Sequence, residues 1–187
     1  MSVLVLATAC SSTDYYGEWN EPRPLLLPFS KMLIVVDSPY KNFREELEQQ
    51  LYEGVTRSGT LGTTATLLDS NGNVEEEALV MMLERSFADS LLLIQIRHQA
   101  ENTEQPGTID IAPADAEPKP DILPELAGQT VILDATVYDI SSNGRAVYTI
   151  DLETRFKDKG VETVYYAADN ISGVILGELR GAKIIDD

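Results

Sequence analysis

Cysteine and histidine each occur once in this chain of 187 residues. One cysteine excludes an intrachain disulfide and any CxxC redox or metal site, and one histidine removes most zinc arrangements. No stretch approaches the roughly 18 apolar residues that a membrane-spanning helix needs. Basic residues are scarce as well. Fourteen Lys and Arg against 31 Asp and Glu leave a formal charge of −17, and no run of Lys or Arg appears. A field of that sign repels phosphate backbones, so nucleic acid is not an expected partner. What is there is ordinary for a globular chain: 43% hydrophobic, 24% charged, and long enough for one domain with a real core.

The search for chemistry finds little. His98 is the only conventional general base near neutral pH, and no nucleophile motif accompanies it, so it reads as an edge histidine. Asp69-Ser70-Asn71-Gly72-Asn73-Val74-Glu75 alternates oxygen ligands as a calcium loop does. Its glycine falls at the fourth position rather than the sixth, however, and Val80 stands where a bidentate glutamate is needed. A turn followed by a helix cap accounts for every residue. Gly59-Thr60-Leu61-Gly62-Thr63-Thr64 lacks the lysine of a phosphate-cradling loop. The expectation is a non-enzyme with no catalytic residues, no cofactor and no metal.

The first ten residues carry the best clue. Met1-Ser2-Val3-Leu4-Val5-Leu6-Ala7-Thr8-Ala9-Cys10 is a short apolar run ending in small residues and then the only cysteine, after which Ser11-Ser12-Thr13-Asp14 turn polar at once. This resembles the bacterial lipoprotein signal, in which a small residue precedes a cysteine that is diacylated and becomes the new N-terminus. The resemblance implies lipidation at Cys10, removal of residues 1–9, and an anchor in a membrane. Ser11, rather than aspartate, after the cysteine is the outer-membrane choice of that family. Ala7 stands where leucine is commoner, and no basic residue precedes the run, so a natural start upstream of Met1 is expected. The competing reading is a buried N-terminal strand over Val3–Leu6 with an incidental thiol.

Residues 10–30 read as an extended tether, with Tyr15, Tyr16, Trp19 and three prolines but no helical or strand period. Residues 31–187 read as a single α/β domain. Lys31–Val36 is an apolar, β-branched run suited to a central strand buried on both faces. Ser38 is placed to cap a helix that Pro39 opens, with Phe43, Leu47, Leu51 and Val55 as its apolar stripe and Lys41, Arg44, Glu45, Glu48 and Gln49 on the other face. Thr63–Leu68 reads as a second strand. A second helix follows from Val74 with Asn73 as cap, its core side drawn from Ala78, Met81, Met82, the Arg85 stem and Phe87 or Ala88, with Leu79 and Leu83 beside them. Ser90–Arg97 is a third strand.

Residues 100–128 break the pattern: they are acidic and proline-rich and predict a mobile insertion within the sheet, its carboxylates a solvated run. Thr130–Asp139 and Ala146–Phe156 then form a hairpin around Ser141-Ser142-Asn143-Gly144-Arg145. Val131, Leu133, Ala135 and Val137 share one face, Asp134, Thr136 and Tyr138 the other. Val161–Tyr166 is a candidate further strand and Ala167–Leu179 a closing helix, in which Gly173 and Gly177 would permit close approach to the sheet. The order is β-α-β-α-β, insertion, β-β, a candidate β, then α: a mixed α/β fold with helices packed on the sheet.

The Ala88–Ile94 lead into a strand, the Val137–Val147 hairpin and the C-terminal helix resemble the α/β domain of several envelope lipoproteins. These are the curli-secretion lipoprotein, penicillin-binding-protein activator lipoproteins and the N-terminal domain of the Tol-Pal β-propeller protein. The resemblance covers roughly Lys31–Ile185 and implies a non-catalytic, periplasm-facing outer-membrane lipoprotein that binds a protein partner in envelope assembly or regulation. A subunit of a homo-oligomeric secretion assembly is the first alternative, and a small-ligand binder or hydrolase the second. The partner-binding residues are not legible, although an exposed sheet edge and the acidic insertion are candidate surfaces.

Overall fold

A computed structural model describes residues 13–20, 28–68, 76–100, 130–156 and 163–186. Cys10, the 69–75 turn and the insertion from 101 onward lie outside them.

The chain order is β1 (Thr13–Trp19), β2 (Lys31–Asp37), α1 (Lys41–Arg57), β3 (Leu61–Thr64), α2 (Ala65–Leu68), α3 (Glu76–Ser86), β4 (Ser90–Ala100), β5 (Thr130–Asp139), β6 (Arg145–Arg155) and α4 (Thr163–Gly181). The strands form one six-stranded sheet in the order β1-β6-β5-β4-β2-β3. β2 runs parallel to both β3 and β4, and β4, β5, β6 and β1 are antiparallel in turn. The mixed α/β fold expected from the sequence is present, and β5 completes the sheet that β4 began.

The apolar run after Lys31 is central for the reason its composition suggests. Met32, Ile34 and Val36 point to one face and Leu33 and Val35 to the other, all fully buried. On the first face α1 and α4 cover the sheet. Phe43, Leu47, Leu51 and Val55 meet Ile171, Ile175 and Leu179 above Leu92, Ile94, Leu133, Ile150 and Leu152. Burying each large aliphatic side chain contributes about 1.5–3 kcal/mol. On the second face a smaller cluster of Leu33, Val35, Ala65, Met82, Ala88 and Leu91 sits beneath α2 and α3.

The hairpin forms as its Asn-Gly predicts. Asn143 and Gly144 both adopt positive φ (62° and 66°), and Asp139 caps a 3-10 turn over Ile140–Ser142 by accepting from the Ser142 amide. Ser141 and Ser142 hydroxyls donate to the same carboxylate. Burial raises the Asp139 pKa, but these donors outweigh it and hold the group below its ordinary value.

Several expectations need correction. Thr13–Trp19, read as part of the tether, is β1, paired along its whole length with β6. That pairing takes the edge which a strand over Val161–Tyr166 would have needed, and α4 instead begins at Thr163. The second strand runs Leu61–Thr64, and Ala65–Leu68 turns into α2 because the Leu67 amide donates to Thr64 Oγ1 and the Thr66 amide to Glu48. Pro39 precedes α1, whose N-cap is Tyr40; Ser38 Oγ accepts from the Tyr40 amide one residue before the helix. In α3, Met82 faces the core, whereas Met81 and Arg85 point outward; past its end, of the pair Phe87 or Ala88 it is Ala88 that is buried.

Candidate interaction surface

Cys10, the Asp69–Glu75 turn and the acidic insertion fall outside the described residues. His98 lies in β4 just past a register irregularity opposite β5. Gly59 takes a turn with φ of 85° and Gly62 lies in β3, so this stretch is a loop-to-strand junction. Among the described residues no three His, Cys, Asp or Glu side chains gather to hold a metal, and no helix is long and apolar enough to cross a membrane.

One buried polar cluster was misread from the sequence. Glu48 and Arg44, assigned to the solvent side of α1, are both buried. Glu48 Oε1 accepts from the Val36 amide at 3.1 Å and Oε2 from the Thr66 amide at 2.9 Å. The carboxylate thus ties the end of β2 to the start of α2, satisfying backbone donors that helix and sheet leave over. Burial pushes its pKa up, against the opposing pull of these donors and of the Arg44 charge. The Arg44 guanidinium reaches back toward the helix start, where Nη1 lies 3.5 Å from the Ser38 carbonyl. This is a structural tie between β2, α1 and α2.

Among the described strands β1 and β3 lie at the two edges of the sheet, and β1 is the longer. Thr13, Tyr15, Gly17 and Trp19 stand opposite Thr154, Leu152, Ile150 and Tyr148 of β6, on the face that α4 covers. Asn170 of α4 donates to Thr13 Oγ1. Two turns on, Glu178 accepts from the Tyr148 hydroxyl at 2.9 Å and lies against Gly17, where a Cβ would collide with it. Eight helical residues rise about 12 Å and four strand residues about 13 Å, so α4 runs beside β1 in the same direction. Burial, then the Glu178 bond and charge, push the Tyr148 phenol up to about 12.

Between β1 and the outer flank of α4 lies an open cleft of about 500 Å³, lined by Tyr15, Asp169, Asn170, Gly173, Val174, Gly177 and Glu178. Gly173 and Gly177 were expected to bring the helix onto the sheet. They face away from it, and a Cβ at either meets nothing within 4 Å. The close approach is made instead by Gly54 of α1, where a Cβ would strike the Leu176 side chain. Spacing along one helix cannot tell these roles apart, because both glycine positions obey the same periodicity.

The large exposed apolar groups fall in several elements: Leu61 in β3, Leu67 (70% exposed) in α2, Val80 and Met81 in α3, Phe87 (83%) just past its end, Tyr15 (53%) and Tyr16 in β1, and Tyr165 and Tyr166 at the start of α4.

The class these features define is a mixed-sheet α/β domain with exposed apolar side chains at more than one place and, among the described residues, no three His, Cys, Asp or Glu side chains gathered to hold a metal. No family model and no curated protein matches the chain. Its fold is similar to that of a PelC dodecamer from Paraburkholderia phytofirmans, with a TM-score of 0.51 at 13% identity over 90% of this chain and 97% of that one. A variant of the same PelC, also a dodecamer, gives a TM-score of 0.47 at 12% identity over 92% and 98%. At such identities the likeness is one of fold. Neither structure belongs to the three lipoprotein families that the sequence resembles.

Proposed function

We infer that this chain is a non-catalytic subunit of a homo-oligomeric secretion assembly, facing the periplasm and tethered to the bacterial outer membrane through a lipidated Cys10. The observation that carries the reading is the fold likeness to a PelC dodecamer along nearly the full length of both chains. The placement of exposed apolar groups supports it. A head-to-tail ring needs two different surfaces on each subunit, and Leu61 with Leu67 at and after edge strand β3, and Tyr15 with Tyr16 on edge strand β1, supply two. This favours the assembly reading over a regulatory module that binds one protein partner.

The test has two parts. Native mass spectrometry of the full chain, beside Leu67→Glu, is expected to give a closed oligomer that the variant disrupts; a wild-type monomer would remove the assembly reading. Intact mass and membrane fractionation, beside Cys10→Ala, are expected to give a lipid-modified N-terminus and loss of the membrane fraction in the variant. An unmodified chain still carrying residues 1–9 would remove the anchor and the localisation together.

A further inference from the structure

The tip of the β5–β6 hairpin holds a reactive pair in a conformation that keeps it from reacting. Asn143 and Gly144 are both exposed to solvent. A glycine after asparagine leaves its backbone nitrogen unhindered, because no Cβ shields it. For that nitrogen to close a five-membered ring on the Asn143 side-chain amide it must eclipse Asn143 Cβ. At the φ of 62° and ψ of 35° found here it lies on the far side of the Cα–C bond from Cβ. Bringing it round takes a rotation of ψ well beyond a right angle, and Asp139 and Arg145, the cross-strand pair next to the turn, would be pulled out of register. The flanks hold the turn shut. The buried Asp139 carboxylate accepts from the Ser142 amide and from the Ser141 and Ser142 hydroxyls, and the Ile140 amide donates to the Asp89 carbonyl at 3.0 Å. A non-glycine residue in the left-handed region persists because its surroundings fix it.

We propose that Asn143-Gly144 is a self-modification site gated by the hairpin: the closed turn preserves the amide, and the opened turn deamidates with water as the only co-reactant. In the open state the Gly144 nitrogen gives its proton to hydroxide and bonds to Asn143 Cγ. The Cγ–Nδ2 bond breaks, and Nδ2 leaves as ammonia with a proton taken from water, so a cyclic imide remains. A second water then splits the imide. Cleavage between Cγ and the Gly144 nitrogen gives aspartate; cleavage between the main-chain carbonyl carbon and that nitrogen gives isoaspartate, with the backbone running through Cβ. Either product adds a negative charge, and isoaspartate also adds a methylene to the main chain of a tight turn. The conversion thus marks chains whose hairpin has opened. The proposal is independent of the assembly and anchor readings.

The experiment holds the native full chain, the same chain in urea and a capped peptide spanning 139–147 at mildly alkaline pH. Peptide mapping by mass follows conversion of Asn143 to the acid and separates it from Asn71-Gly72, the chain's other Asn-Gly pair. The native chain is expected to convert about tenfold or more slowly than the unfolded chain and the peptide, since it reacts only through local opening. Asp139→Ala removes the acceptor that holds the turn and is expected to convert severalfold faster than the wild type, with a thermal melt checking that it folds. Ser141→Ala combined with Ser142→Ala asks the same question if it does not. Conversion of the native chain as fast as the peptide would overturn the gate, and so would the wild-type rate in a folded variant that has lost the cap. An amide that survives intact in both the unfolded chain and the peptide would overturn the site itself.

Discussion

The two faces of the sheet are built differently. On the first, α1 and α4 lie over a continuous apolar layer from Met32 to Leu152, and Phe43, Leu47, Leu51 and Val55 are all fully buried. On the second, α2 and α3 cover only the part over β2 and β4, with Met82 and Leu91 at its centre. Beyond that cover the same face turns polar: Gln95, Asp134, Asp151 and Tyr16 are successive partners across β4, β5, β6 and β1. The first face therefore carries most of the hydrophobic stabilisation, and much of the net negative charge can sit on the second without entering a core.

Substitutions can break or sharpen this contrast. Leu51→Ala removes a fully buried side chain from the first face and is expected to cost about 2–5 kcal/mol in urea unfolding. Met82→Ala, on the thinner second face, should fall at the lower end of that range; equal costs would show that the two faces contribute alike. Next in size is Glu48→Gln, expected to destabilise by about 1–3 kcal/mol at neutral pH. An amide keeps one acceptor and turns a donor toward either Val36 or Thr66, whose amides both need an acceptor.

Similar in size is the contrast between two glycines. Gly54→Ala pushes on Leu176 between α1 and α4 and is expected to cost about 1–3 kcal/mol. Gly173→Ala adds a methyl to open space on the solvent side of α4 and should stabilise the fold by about 0.5–1 kcal/mol, read as a raised melting temperature.

The smallest effects are in the pH dependence, where two carboxylates act in opposite directions. Asp139 is held below its usual 3.8, so its contribution is complete above that value and is lost as pH falls through the lower folded pKa. Glu48 is raised above 4.5, so the stability linked to its proton is complete below 4.5 and declines as pH rises through the folded value. Stability followed against pH should therefore lose its Asp139-dependent acid limb in Asp139→Asn. An unchanged limb would mean that the serine donors leave this carboxyl's proton affinity alike in the folded and unfolded chain.

Local signals explain what was legible. The four-residue spacing of Phe43 to Val55 marks one helix face whatever lies beneath it. The unbroken apolar run after Lys31 needs cover on both sides, and Asn143-Gly144 satisfies the positive φ that a tight hairpin demands. Helix periodicity misplaced Glu48 and Arg44, because a charge on the nominally polar side becomes buried once α2 folds back over it. It also misplaced Met81, which lies on the exposed side of α3. The sheet's edges were only half legible, since Thr13–Trp19 was read as tether and is one of the two edge strands.

Periodicity, turn chemistry and composition by themselves determined the order of most elements, the mixed α/β class, the central strand and the hairpin, since each depends on residues within a few positions of one another. Only the tertiary structure decided that the N-terminal segment closes the sheet, that Gly54 rather than Gly173 or Gly177 makes the close contact, and that Glu48 lies inside. Those outcomes depend on which surfaces meet across more than a hundred residues of chain, as when Thr13 pairs with Thr154, and no local preference along the sequence encodes such a meeting.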